Sequence, residues 1–181
     1  MSGSDVIFVE RDCPAVSVPY GEVTSLPAGE EVRVVQALGG SITVRSGYGL
    51  LFRIDGTDAD ALGMEPIAPA ASGPADGPFD IGRVDEALRT VYDPEMSLNV
   101  VELGLVYRCE DVVRTDGTRL ISIDMTMTAP GCGMGDVLRT DAIRAVRAVP
   151  GVDDVEVTIV FDPPWSVHRM PMEVRLELGL L

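Results

Sequence analysis

Across residues 1–63 the apolar positions come as short β-branched runs at 6–9, 16–18, 32–35, 42–44 and 50–54, each bounded by turn-forming residues. Gly39-Gly40 separates two of these runs as a hairpin turn would, and Gly47-Tyr48-Gly49 closes the next. The pattern predicts a small all-β domain. From residue 79 the period changes: Asp80 stands where an N-cap belongs, and Ile81, Val84, Leu88 and Val91 recur at helical spacing until Pro94 ends the run. Residues 105–113 read as a strand. After them Ile121, Ile123, Met125 and Met127 alternate with Ser122, Asp124, Thr126 and Thr128, as in a strand with one buried face. A second helix is expected from about Gly133, with Met134, Val137, Leu138, Ala142, Ala145, Val146 and Val149 on one stripe and Arg144 and Arg147 near its negative end. Residues 155–161 alternate again before Asp162-Pro163-Pro164-Trp165 breaks them. The order helix, strand, strand, helix, strand describes a compact α+β domain over residues 79–181. Residues 170–181 fit helix and strand equally, because Met172, Val174, Leu176 and Leu178 alternate while Pro171 suits a helix start. Between the two domains, residues 64–78 carry four prolines among Ala, Gly and Ser and read as a linker.

Composition narrows the function classes. A hydrophobic content of 46% is ample for two small cores, yet no apolar run approaches the length that crosses a bilayer. The first dozen residues lack a basic flank and a small-residue cleavage site, so no export signal is read and a soluble, cytoplasmic protein is expected. Fourteen basic residues against 29 acidic ones give a net charge of -15, which repels phosphate backbones and anionic lipids and argues against nucleic-acid or membrane partners. Every basic residue is Arg, so Schiff-base and P-loop chemistry lack their amine. Three cysteines, at 13, 109 and 132, make no disulfide framework and fit a reducing compartment.

One stretch carries chemistry. From Thr126 to Asp136 the chain reads T-M-T-A-P-G-C-G-M-G-D, a strand end passing through a Gly-rich turn into a helix, with Cys132 in the turn. A thiol there meets the positive end of the helix, which favours thiolate, and flanking glycines let another molecule approach the sulfur. Thr128 ends the polar face of the strand and can aim its hydroxyl at the same turn. Asp93 and Glu95 flank Pro94 where the first helix stops. Cys13 beside Pro14 reads as a lone structural thiol, and Cys109, sharing strand parity with Leu105 and Tyr107, as a core thiol.

Five ordered stretches carry a resemblance: D-P-E at 93–95, N-V-V-E-L-G-L-V-Y at 99–107, T-M-T-A-P-G-C at 126–132, V-P-G-V at 149–152 and D-P-P-W at 162–165. The second domain resembles the iron-sulfur assembly domain family, which includes SufT-type maturation factors, the eukaryotic cytosolic iron-sulfur targeting factors and the PaaD subunit of phenylacetyl-CoA oxygenases. The first domain, with V-P-Y-G at 18–21 and Q-A-L-G-G-S at 36–41, looks like the N-terminal extension of the SufT type. The resemblance implies a PaaD-like α-β-β-α-β fold and a reactive Cys132, with Asp93, Glu95 and Thr128 lining its pocket. It further implies help in delivering iron-sulfur clusters to client proteins, without turnover. A cluster takes about four ligands, so with one well-placed cysteine it is transient or shared, held by a homodimer pairing two copies of Cys132 or by a complex with a carrier or client. Two alternatives stand beside this. One is a cysteine-dependent acyl-transfer enzyme with His168, the only histidine, as base; the other is a structural adaptor subunit of an oxygenase in which Cys132 only packs.

Overall fold

The computed structural model describes residues 6–67, 77–131 and 133–180. Cys132, the residue on which the chemistry was centred, and most of the stretch 64–78 lie outside the described residues. The chain forms two compact units, Met1–Ala70 with Pro94–Ser97, and Ala71–Asp93 with Leu98–Leu181.

The first unit is one antiparallel sheet. Its strands are β1 (Val6–Phe8), β2 (Cys13–Val18), β3 (Val23–Leu26), β4 (Glu31–Leu38), β5 (Ser41–Ser46) and β6 (Leu51–Asp55), in the spatial order β1-β4-β5-β6-β2-β3. Leu38 pairs with Ser41 across the expected Gly39-Gly40 turn. Val9, Cys13, Val32, Ile42, Val44 and Ile54 form the core, closed by Ala59, Ala61 and Leu62 from a 3-10 helix at Gly56–Leu62. That helix departs from the all-β expectation. Asp55 starts it by accepting the Thr57 N–H at 3.0 Å, and its alanines lie flat on the sheet. β3 was also not expected, because Leu26 is its only buried residue and a V-T-S-L run barely alternates.

The second unit mixes α and β. Helix α1 (Ile81–Leu88) precedes strands β7 (Val106–Val113) and β8 (Arg119–Met125), then helix α2 (Gly135–Arg147), strand β9 (Asp154–Ile159), a short 3-10 turn Val167–Arg169 and helix α3 (Met172–Glu177). Asp80 caps α1 by accepting the Gly82 N–H at 2.9 Å. β8 is central, antiparallel to β7 and parallel to β9, so β8-α2-β9 is a crossover unit. Ile121, Ile123 and Met125 are fully buried, as are Val84 of α1 and Leu138, Ala142 and Val146 of α2. Each such Val, Leu, Ile or Met side chain contributes about 1.5–3 kcal/mol by leaving water. The opposite face of the sheet is wetter: Arg108 bridges Asp124 and Glu110, both at 2.7 Å.

Several expectations shift. A bulge between Val106 and Arg108 breaks the alternation of β7, so Cys109 does not share a face with Tyr107 but lies opposite Ile123, half-buried. β8 stops at Met125 rather than running to Thr128, because beyond Met125 neither neighbouring strand continues the pairing. α2 begins at Gly135, two residues later than expected. The ambiguous tail resolves as helix α3, in which Val174 and Arg175 are the partly covered positions.

Candidate functional site

Strand register decides which loops meet. Val106 at the start of β7 pairs with Met125 at the end of β8, and Met125 pairs with Ile159 at the end of β9. The turn entering β7, the turn leaving β8 and the segment leaving β9 therefore gather at one end of the sheet. In sheets with parallel crossovers, ligands bind at the carboxyl ends of the strands. Three of the five motif stretches, at 99–107, 126–132 and 162–165, fall on these loops. V-P-G-V falls at the far end, where the Gly151 carbonyl accepts from Arg119, the first residue of β8, at 3.4 Å, and Arg119 lies 3.9 Å over the Phe79 ring. Its role is architectural.

Two of the three loops are laced together. Asn99 Oδ1 accepts the N–H groups of Val101 at 3.1 Å and Glu102 at 2.9 Å, while Glu102 Oε2 accepts the Asn99 N–H at 3.0 Å, a reciprocal capping box. The box sets a turn ending in Gly104, whose φ is +64° and whose Cα faces the backbone carbonyl of Arg169 too closely for any side chain. Trp165 Nε1 donates to the Leu103 carbonyl at 2.8 Å, and the Tyr107 hydroxyl donates to the Pro163 carbonyl at 3.0 Å. The Arg169 guanidinium lies 3.8 Å over the Tyr107 ring. The segment from Pro163 to Met170 is thereby strapped across the entrance to β7.

The candidate side chains are distributed as follows. Asp93 is buried, its N–H donating to the Leu98 carbonyl at 2.9 Å in a small hairpin where Tyr92 bridges Asn99. Glu95 is exposed and belongs to Pro94–Ser97, the segment that groups with the first unit. Thr128 is half-buried, beyond the end of β8. Of Cys132's neighbours, Gly131 is exposed with φ +80° and open space where a Cβ would stand, and Met134 is buried at the N-cap of α2. Met134 at the N-cap of α2 makes no side-chain capping bond, and Asp136 sits in the first turn. His168 is exposed, with Nδ1 3.3 Å from Nη1 of Arg175. Guanidinium only donates, so that nitrogen accepts.

The other thiols offer little. Cys13 is fully buried, and burial pushes its thiol up, aided by the charge of Asp58. Burial does the same to Cys109, with Asp85 adding to it. Among the described residues no three His, Cys, Asp or Glu side chains converge as a metal-holding group. One residue that sequence reasoning passed over is Thr126: it is fully buried, and its hydroxyl meets no partner. Its parity had placed it on a wet strand face, and no local pattern signals that the face is covered there.

This is a mixed α+β chain whose second unit gathers its motif-bearing loops at the carboxyl ends of two parallel strands. Residues 82–159 match the iron-sulfur cluster assembly protein family, and the chain belongs to it. An Fe-S protein maturation auxiliary factor of Porphyromonas gingivalis is 43% identical over 94 residues, covering 52% of this chain and 86% of that protein. The Fe-S protein maturation auxiliary factor SufT of Staphylococcus aureus is 38% identical over 50% of this chain and 98% of its own length. YitW of Bacillus subtilis, also an Fe-S protein maturation auxiliary factor, is 37% identical over 52% of this chain and 88% of its own. The S. aureus relative is thus too short to hold both units of this chain. It supplies no counterpart for an N-terminal extension. No helix among the described residues is long and apolar enough to cross a membrane.

Proposed function

We propose that the chain is an accessory factor in iron-sulfur cluster assembly or delivery, working in the cytoplasm and without turnover through the thiolate of Cys132. The observation that carries this reading is the 43% identity, over 86% of its length, to a protein named as an Fe-S protein maturation auxiliary factor. Asp93 and Thr128, both of the second unit, shape what approaches the thiol. The cluster is cargo rather than a resident group. Cys13 is committed to a core and Cys109 to a strand, so a single chain offers one usable thiolate where a cluster takes about four. The missing ligands come from a second copy of the chain or from the carrier or client that gives or takes the cluster. A site one ligand strong suits transfer better than storage. The positive end of α2, which the Met134 side chain does not cap, favours an anionic sulfur two residues before Met134 in sequence.

The test is complementation in cells lacking the native protein, reading the activity of iron-sulfur enzymes with expression of each variant checked. Cys132→Ser abolishes support, Asp93→Asn and Thr128→Val reduce it, and His168→Ala leaves most of it intact. Normal support from a well-expressed Cys132→Ser strain overturns the reading. Loss with His168→Ala equal to that with Cys132→Ser favours acyl-transfer chemistry instead, since there the histidine is the base.

A further inference from the structure

We propose that Thr126 is a positioning residue for the turn that leaves β8: its buried hydroxyl accepts a backbone N–H from Thr128 or Ala129 when that turn holds cargo. The inference rests on the reading of Cys132 as a cluster-handling thiolate. Thr126 is the first residue beyond β8, and its N–H donates to the Leu105 carbonyl at 2.8 Å, so its backbone is fixed to the strapped loop that enters β7. It follows the parity of Ser122 and Asp124, which are partly exposed, yet is itself 0% exposed. Its hydroxyl has no hydrogen-bond partner in this conformation. A valine would have the same shape without the cost of a buried orphan oxygen. Threonine hydroxyls reach backbone N–H groups two or three residues ahead, the geometry of a side-chain turn, and those groups here belong to Thr128 and Ala129.

The turn beyond has room to supply such a second arrangement. Met127 packs beside Gly135, its Sδ 3.8 Å from where a Cβ would stand, which pins the far side of the loop. Gly131 between these anchors is exposed with nothing around it. The stretch is therefore held at Thr126 and Met127 and is exposed at Gly131. A hydroxyl without a partner at the fixed end is a hydrogen bond held for the arrangement that Thr128 and Ala129 adopt on loading.

The experiment uses the full-length wild type, Thr126→Val and Thr126→Ser. Thermal unfolding is measured before loading. Each protein is then reconstituted anaerobically with iron and sulfide and challenged with EDTA, and the decay of visible cluster absorbance is followed. Thr126→Val should melt at or above the wild-type temperature and lose its cluster about tenfold faster, the factor that one hydrogen bond of about 1.4 kcal/mol represents. Thr126→Ser should decay at the wild-type rate. Wild-type decay in Thr126→Val overturns the proposal while leaving the function reading intact. A lower melting temperature in Thr126→Val with unchanged decay also overturns it, assigning the hydroxyl to a buried water instead. Failure of the wild type to take up any cluster overturns this proposal and the sharing of a cluster between two copies of the chain, and leaves the reading in which a carrier or client supplies the missing ligands.

Discussion

Gly104→Ala is the substitution on which the strap can be judged. At φ +64° any non-glycine residue costs about 1–2 kcal/mol. The added Cβ also lands 2.6 Å from the carbonyl carbon and 3.0 Å from the Cβ of Arg169, so the strap must retreat. Retreat lengthens the Trp165–Leu103 and Tyr107–Pro163 hydrogen bonds, each worth about 1 kcal/mol. The total is on the order of 3 kcal/mol. For a domain of this size that is a fall in Tm of roughly 12 °C or more. Gly131→Ala is the control: its φ of +80° carries the same conformational penalty, but the Cβ meets open space, so a fall of about a third to a half of that for Gly104→Ala is expected. Unfolding is followed by circular dichroism and by fluorescence. Trp165 is the only tryptophan, so its emission reports the strap directly, and Gly104→Ala should shift that emission to longer wavelength in the folded protein. If Gly104→Ala melts within about 3 °C of wild type, or as Gly131→Ala does, the close approach to Arg169 does not hold the strap and the argument fails.

Two further outcomes follow from burial and composition. Cys132 should alkylate faster than Cys13 or Cys109 at neutral pH, since burial raises both of the latter thiols and leaves them with less thiolate; mass spectrometry of partly labelled protein checks the order, and labelling of Cys132 last sinks its reactive role. Limited digestion with a protease that cleaves after small residues should cut first between Met64 and Pro78, where prolines and alanines offer few side chains to pack, and first cuts elsewhere would make the two units a single core.

What sequence revealed and what it withheld divide by range. α1, β8 and α2 were readable because their periodicity is local: Asp80 caps, Ile121, Ile123 and Met125 alternate, and Leu138, Ala142 and Val146 fall on one stripe. The 3-10 helix at Gly56–Leu62 was not, since its Gly, Thr and Asp residues look like any loop and only the sheet beneath selects Ala59 and Ala61. The bulge in β7 was equally silent, so the parity of Cys109 with Tyr107 was misread, although Cys109 does lie across from the buried Ile123. At the site, the Gly-rich turn and the acids near Pro94 stand out by composition. The burial of Thr126 and the lacing of Trp165 to Leu103 join residues distant in sequence, and no local window contains both partners.

The motif stretches carry two kinds of residue, and separating them sharpens where chemistry can reside. Asn99 and Glu102 are consumed by the capping box, Gly104 by the approach of Arg169, Tyr107 and Trp165 by the strap, and Gly151 by Arg119. Removing any of these loosens a loop. All but the last of these tasks fix the entrance to β7 and the exit from β9, two of the three loops at one end of the sheet. The exit from β8 is held differently: its ends are anchored by Thr126 and by Met127 against Gly135, while Gly131 stands in open space. Two loops laced by side chains therefore stand beside one that is exposed at Gly131. On the proposed reading, the thiolate of Cys132 is carried by the motif stretch whose described residues are least consumed in holding the other two loops.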